Sequence, residues 1–88
     1  MIERTVTIRN RAGLHTRPAA MLVKIAARFQ SDFVIQKDSF EINGKSIIGV
    51  MTLAAEQGST LVLRFEGPDE EQALAEVTSL FERGFDEE

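Results

Sequence analysis

A strand pattern gives way to a helix pattern near the start of this 88-residue chain, and that change constrains the fold more than any other feature. Residues 2–9 alternate as in a half-buried strand, with Val6 and Ile8 on one side. Residues 16–29 instead space their apolar side chains as an amphipathic helix does, from Pro18 to Phe29. The sequence therefore predicts a strand that turns through a polar loop at residues 10–13 directly into a helix.

The junction itself, residues 13–20 (GLHTRPAA), has a residue suited to each step of the turn. Gly13 permits backbone angles that strain other residues. Thr16 or His15 can cap the helix, and Thr16 is the better cap by residue type. Pro18 fits the first turn, where its missing N–H costs nothing. The backbone N–H groups of Thr16 and Arg17 are then the free donors nearest His15.

His15 is the only histidine in the chain, and its surroundings suit an anion. A helix N-terminus attracts negative charge, and the planar guanidinium of Arg17 matches phosphate oxygens. A neutral imidazole is nucleophilic near pH 7 and can form a covalent intermediate. No metal-ligand cluster and no base aimed at water stands nearby in sequence. The ordinary alternative is a capping or surface histidine, and the spacing alone leaves both open.

The middle of the chain predicts a hairpin followed by a short helix. Residues 33–37 and 40–42 form strands separated by a two-residue turn, and the hairpin ends at Asn43-Gly44. Residues 46–55 favour a strand by propensity, but we prefer a short helix with Ser46 as N-cap. Ile47, Ile48 and Met51 are too many apolar groups for such a helix to bury, so some of them should be exposed.

The last part predicts one more strand and one more helix. Residues 60–66 alternate, and a helix runs from the acidic residues 69–71 to Gly84. Residues 85–88 (FDEE) are expected to form a loose acidic tail. The order strand, helix, strand, strand, helix, strand, helix predicts an α+β open-faced sandwich (βαββαβα), with three helices on one face of a four-stranded antiparallel sheet.

Composition narrows the class of protein. Ten basic and fourteen acidic residues give a net charge of −4, which argues against nucleic acid as the main partner. There is no cysteine, hence no disulfide framework. No apolar run approaches the roughly 20 residues needed to cross a bilayer. We expect one domain over residues 1–88, located in the cytoplasm and without membrane insertion.

Residues 13–20 resemble the active-site signature of the HPr family, the histidine-containing phosphocarriers of the bacterial phosphoenolpyruvate-dependent sugar phosphotransferase system. The resemblance extends over essentially the whole chain and includes the predicted architecture. It implies that enzyme I phosphorylates His15 on Nδ1 and that the group passes to an enzyme IIA domain. It further implies that Arg17 binds the phosphoryl oxygens, beside the backbone N–H of Thr16, with no cofactor and no metal.

Residues 43–51 (NGKSIIGVM) resemble a second family feature, the regulatory-serine segment of HPr proteins from bacteria that have HPr kinase/phosphorylase. The matched residue is Ser46. Phosphate would add about −1.5 to −2 charge at a helix N-cap, which the dipole tolerates. The ordinary alternative is that Ser46 serves only as the N-cap.

The resemblance also implies a docking surface for partner proteins. By this name we mean Ile47, Ile48 and Met51 together with Arg17, Ala20 and Lys24. Arg17, Ala20 and Lys24 share the outward strip of the first predicted helix. The ordinary alternative is that the apolar members are core or scattered surface residues.

Three functional hypotheses follow. The first is a phosphocarrier, a phosphoryl-transfer intermediate rather than an enzyme acting alone. A carrier in the nitrogen-related branch, not coupled to sugar uptake, falls within it. The second is a small phosphatase or acyl transferase using His15, for which the sequence shows no substrate pocket. The third is a regulatory interaction module, since a fold does not determine a function. A protein that docks transiently at this size is expected to be a monomer.

Overall fold

A four-stranded antiparallel sheet with three helices forms the body of the molecule, in a computed structural model that describes residues 1–87. The predicted α+β open-faced sandwich and its element order are confirmed. The elements, in chain order, are β1 (Ile2–Thr7), α1 (Thr16–Ala26), β2 (Asp32–Lys37), β3 (Phe40–Asn43), α2 (Ile47–Thr52), β4 (Thr60–Glu66) and α3 (Glu70–Glu82).

The sheet order is β1-β4-β2-β3, so β1 and β3 are its edges. Successive side chains of a strand point to opposite faces, and one face packs against the helices. Phe33 and Phe65 are register partners on that face, and their rings stack with centroids 4.4 Å apart. Leu61 and Leu63 are fully buried on the same face, as the alternation of residues 60–66 predicts.

Helix α1 buries the expected stripe but ends earlier than the periodicity predicts. Its regular part stops at Ala26, not Phe29. Beyond it the N–H groups of Arg28 and Phe29 donate to the carbonyls of Ile25 and Ala26, three residues back. The last turn therefore tightens into a 3₁₀ geometry, as helix ends often do. Within residues 1–87 no helix is long and apolar enough to span a bilayer.

The segment after the hairpin is a helix, as predicted, although strand propensity opposes it. Ser46 is the N-cap, and its Oγ accepts a hydrogen bond from the N–H of Gly49 at 3.1 Å. Val50 is fully buried, whereas Ile47, Ile48 and Met51 are 39, 74 and 42% exposed. A short helix has one face to bury, which leaves these three side chains outside.

The prediction of a loose tail at residues 85–88 is wrong for residues 85–87, and Glu88 lies outside the described residues. Gly84–Asp86 form a 3₁₀ turn, and Phe85 is completely buried. The Phe85 ring meets Phe81 edge to face, with centroids 4.9 Å apart. Burying this one aromatic ring outweighs the acidic character of its neighbours. Residues 85–87 are consequently held against the body.

Candidate functional site

His15 occupies the N-cap position of α1. Its backbone is extended, and its carbonyl accepts a hydrogen bond from the N–H of Ala19 at 3.0 Å. The preference for Thr16 as the cap is therefore wrong, and Thr16 is the first helical residue. The preceding residue explains the difference: Leu14 donates its N–H to the carbonyl of Ala55 at 2.9 Å, which sets where the loop ends. The imidazole makes no capping hydrogen bond, so its ring nitrogens can interact with groups outside the helix.

Gly13 is required by the turn that presents His15. Its φ is +72°, a region that residues with a Cβ rarely adopt. A Cβ at this position would also collide with the carbonyl oxygen of Ala55. Gly13 therefore permits both the close approach of its loop to Ala55 and the turn that directs His15 outward.

Among residues 1–87, no protein group accepts the first N–H donors of α1, which lie beside His15. The N–H groups of Thr16 and Arg17 lie in the first turn, where no carbonyl of the helix can accept them, and Pro18 has no N–H. The side chain of Arg17 is 65% exposed. Ala20 and Lys24 are exposed farther along the same helix, so the predicted outward strip is observed.

Glu87 completes the site, although no local pattern in the sequence indicates it. Its carboxylate lies 3.1 and 3.0 Å from Nε2 of His15. One of its oxygens is 3.5 Å from Nη1 of Arg17, and the other accepts a hydrogen bond from Nδ2 of Asn10 at 3.0 Å. Only 12% of the Glu87 side chain is exposed, against 41% for His15. The one signal in the sequence is Phe85, an apolar residue two positions before Glu87 that can anchor this segment to the core.

The ionisation of Glu87 determines which nitrogen of His15 is nucleophilic. The hydrogen bond to His15 lowers the pKa of the Glu87 carboxyl, helped by Asn10 and by the charges of His15 and Arg17 and opposed by partial burial. An ionised carboxylate only accepts hydrogen bonds, so Nε2 must carry the proton and donate it. In the neutral imidazole the lone pair is then on Nδ1. Within residues 1–87 no protein group hydrogen-bonds to Nδ1.

Glu87→Gln is expected to make the free energy of unfolding vary less with pH in the acidic range. Because the pKa of Glu87 is lower in the folded state, its contribution is present above the ordinary carboxyl pKa of about 4.3 and is lost as pH falls through the folded value. Urea unfolding should therefore show the native chain as the more stable at pH 7, with the gap closing below about pH 4. The pKa of Asp69 is also lowered, through its hydrogen bonds to Ser31 and Gln30. Because Asp69 is present in both proteins, its contribution cancels in the difference between their stabilities. A gap that is constant with pH would contradict the assignment.

The second predicted site lies at the N-terminus of α2. Ser46 is half-buried, and Lys45 beside it donates from Nζ to the carbonyl of Phe29 at 2.7 Å. The side-chain amine of Lys45 is thus engaged away from the Ser46 hydroxyl. Helices α1 and α2 pack against each other, so the two halves of the docking surface stand on neighbouring helices.

Comparison with known proteins identifies the family. The family model described as "PTS HPr component phosphorylation site" matches residues 2–83. The chain belongs to the HPr family. HPr of Treponema pallidum is 49% identical over 88 residues, with all of both chains covered. A crystal structure of HPr from Thermoanaerobacter tengcongensis superimposes with a TM-score of 0.96 at 44% identity, covering 100% of this chain and 99% of that one.

A regulatory relative is also similar. Crh of Bacillus subtilis, described as a catabolite-repression protein that forms a swapped dimer, is 38% identical with a TM-score of 0.77 and coverage of 96% and 97%. Membership of the HPr family makes this chain a phosphocarrier of the phosphotransferase system.

Proposed function

We propose that this HPr accepts a phosphoryl group on Nδ1 of His15 from phosphorylated enzyme I and passes it to enzyme IIA domains. The observation that carries the proposal is the ring geometry. Nε2 is held by the Glu87 carboxylate, which leaves Nδ1 as the free nucleophilic nitrogen at the N-terminus of α1. The two free N–H groups and Arg17 surround it with donors suited to phosphoryl oxygens.

The transfer needs no proton to leave the protein. The Nδ1 lone pair attacks phosphorus, the bond from phosphorus to the donor atom breaks, and its electron pair stays with the donor. The ring gains positive charge while Nε2 keeps its proton, and the nearby Glu87 carboxylate offsets that charge. Transfer onward is the same step in reverse toward the acceptor.

Glu87 also influences how readily the phosphoryl group leaves His15 for an acceptor. In the free protein Arg17 faces Glu87 at 3.5 Å. A phosphoryl group on His15 would compete with Glu87 for this guanidinium and would repel the carboxylate. A group held beside a like charge is transferred more readily than one buried among cations alone. When His15 is phosphorylated, Arg17 releases Glu87 and binds the phosphoryl oxygens instead.

Partner docking occurs on the docking surface. The chain carries a net charge of −4, yet Arg17 and Lys24 give the surface around His15 a local positive charge. Exposed Ile47, Ile48 and Met51 provide apolar contact, and a flexible methionine suits several partners in turn. Enzyme I and enzyme IIA domains use this surface one after the other.

Phosphorylation of Ser46 by HPr kinase/phosphorylase regulates docking. The helix N-terminus tolerates the phosphate, so the fold is kept. The added charge lies beside Ile47 and Ile48, which a partner must remove from water. Lys45 is bound to the Phe29 carbonyl and does not neutralise it.

Ser46→Asp is expected to lower kcat/KM for phosphorylation by enzyme I about tenfold, or about 1.4 kcal/mol. Aspartate caps a helix as well as serine does, so stability should hardly change. Ser46→Asn is the matched control, because it keeps the size and the capping ability without the charge. Steady-state kinetics with enzyme I provide the measurement. Equal losses in both variants would mean that shape, not charge, is responsible.

The regulatory module is the competing function, and the similarity to Crh is the observation that favours it. His15 with its free Nδ1 argues for a working carrier instead, whether in the sugar branch or in the nitrogen branch. The Ser46 segment favours the sugar branch. A monomer in the cytoplasm remains part of the proposal, and sedimentation tests the monomer against a swapped dimer such as that of Crh.

A two-step labelling experiment tests the proposed function. Enzyme I, Mg²⁺ and ³²P-labelled phosphoenolpyruvate should label the purified chain, and a IIA domain added afterwards should remove the label. Label that stays on the chain would assign a regulatory phosphorelay without a IIA acceptor. The absence of label, with an enzyme I that labels another HPr, would remove the carrier function for this donor.

A further inference from the structure

Phe40 is an exposed aromatic residue at the edge of the sheet. It is the first residue of the edge strand β3, and 71% of it is exposed. It has the same parity as Ile42, which pairs with the buried Ile35, so it lies on the sheet face that carries the helices. Edge strands normally carry charge or proline to prevent association. An exposed phenylalanine there needs a function.

A small cavity lies between Phe40 and helix α2. Its volume is about 190 Å³. The residues that line it come from the end of β2, the β2–β3 turn, β3, and the last residue and C-cap of α2: Lys37, Asp38, Phe40, Ile42, Thr52 and Leu53. The space suits a single apolar side chain, with one charge of each sign at the rim.

The cavity is continuous with the docking surface. Thr52 follows Ile48 by one helical turn, so the two side chains share a face of α2. Ile48 is 74% exposed and belongs to the docking surface, whereas Thr52 lines the cavity. Exposed side chains therefore run from Ile48 past Thr52 to the cavity beside Phe40.

We infer that Phe40 extends the docking surface and that the cavity receives an apolar side chain of enzyme I when it phosphorylates His15. This inference rests on the proposed function. Enzyme I must cover the docking surface to reach His15, and Thr52 joins that surface to the cavity. A second copy of the chain seated there would cover the same surface and exclude the donor. The enzyme I side chain is aliphatic or aromatic, with carboxylates nearby that face Arg17 and Lys24.

Single-turnover kinetics test the inference. Phosphorylated enzyme I is mixed with rising concentrations of the native chain, Phe40→Ala and Phe40→Leu. Phe40→Ala should raise the concentration for half-maximal rate about tenfold and leave the maximal rate unchanged, because it removes binding and not chemistry. Phe40→Leu should restore most of the loss. Val62→Ala, on the sheet face away from the helices, is the control and should behave like the native chain.

Each other outcome overturns the inference in a recognisable way. Native kinetics in Phe40→Ala, with normal phosphorylation of His15, would reject Phe40 as a docking residue and leave the proposed function intact. A dimer seen by sedimentation and abolished by Phe40→Ala, again with native kinetics, would assign the cavity to a second copy. A native chain that enzyme I does not phosphorylate would reject the proposed function and this inference together.

Discussion

Replacing His15 with alanine is expected to abolish phosphorylation by enzyme I altogether. The chain has one histidine, so no second imidazole can take over. The fold should survive, because the side chain makes no capping hydrogen bond and its contact with Glu87 is near the surface. Intact mass after incubation with enzyme I and phosphoenolpyruvate is the measurement. The native chain gains one acid-labile phosphoryl group, and the variant gains none.

Arg17→Lys gives this experiment its graded control. Lysine keeps the positive charge but loses the planar fork that binds two oxygens at once. Labelling of His15 should persist at a lower rate, whereas His15→Ala shows none. An acid-labile phosphoryl group on His15→Ala would contradict the assignment of the acceptor.

Phe85→Ala is expected to destabilise the protein by about 3–5 kcal/mol. The ring is fully buried against Phe81, and its removal leaves a cavity. Such a loss is a large part of the 5–15 kcal/mol that typically holds a domain folded. The variant should also lose the acid-dependent contribution of Glu87, because Phe85 anchors the segment that carries it.

Phe40→Ala is the matched control for this stability measurement. It makes the same substitution at a residue that is 71% exposed, where changes usually stay within about 0.5 kcal/mol. Urea unfolding of both variants at pH 7 separates them. Similar small losses in the two would mean that residues 85–87 are loose, as the acidic character of residues 85–88 predicts.

The regular elements could be predicted because each buries one face. The alternation of residues 60–66 has a single reading, since a shift by one residue would expose Leu61 and Leu63. Ser46 marked the start of α2 through capping chemistry, which is local and therefore visible in sequence. The turn at Gly13 and the helix start at residues 15–18 also follow from local residue preferences and could be predicted in the same way.

The errors concern contacts between distant segments. His15 and Glu87 are 72 positions apart, and they meet only because Phe85 fills a hole beside Phe81. Phe85 has a φ of +57°, a conformation that no local pattern indicates for phenylalanine. The choice of His15 over Thr16 as N-cap likewise depends on the hydrogen bond from Leu14 to Ala55, which comes from another part of the chain.

Phe40 shows the same limit in a different form. Nothing in the alternation of β3 distinguishes it from Ile42. Its exposure arises because α2 is only six residues long and ends at Thr52, leaving the start of β3 uncovered. The length of a short helix is decided by packing more than by propensity.

Long-range ¹H–¹⁵N correlation spectra of the single imidazole, recorded before and after phosphorylation by enzyme I, test the carrier mechanism most directly. With one histidine in the chain, the ring signals need no further assignment. We predict a proton on Nε2 before the reaction, and phosphorus coupled to Nδ1 after it. An Nε2 without a proton at the start, or phosphorus coupled to Nε2 at the end, would contradict the role given to Glu87. Unchanged ring signals in a protein that had gained a phosphoryl group would contradict the role given to His15.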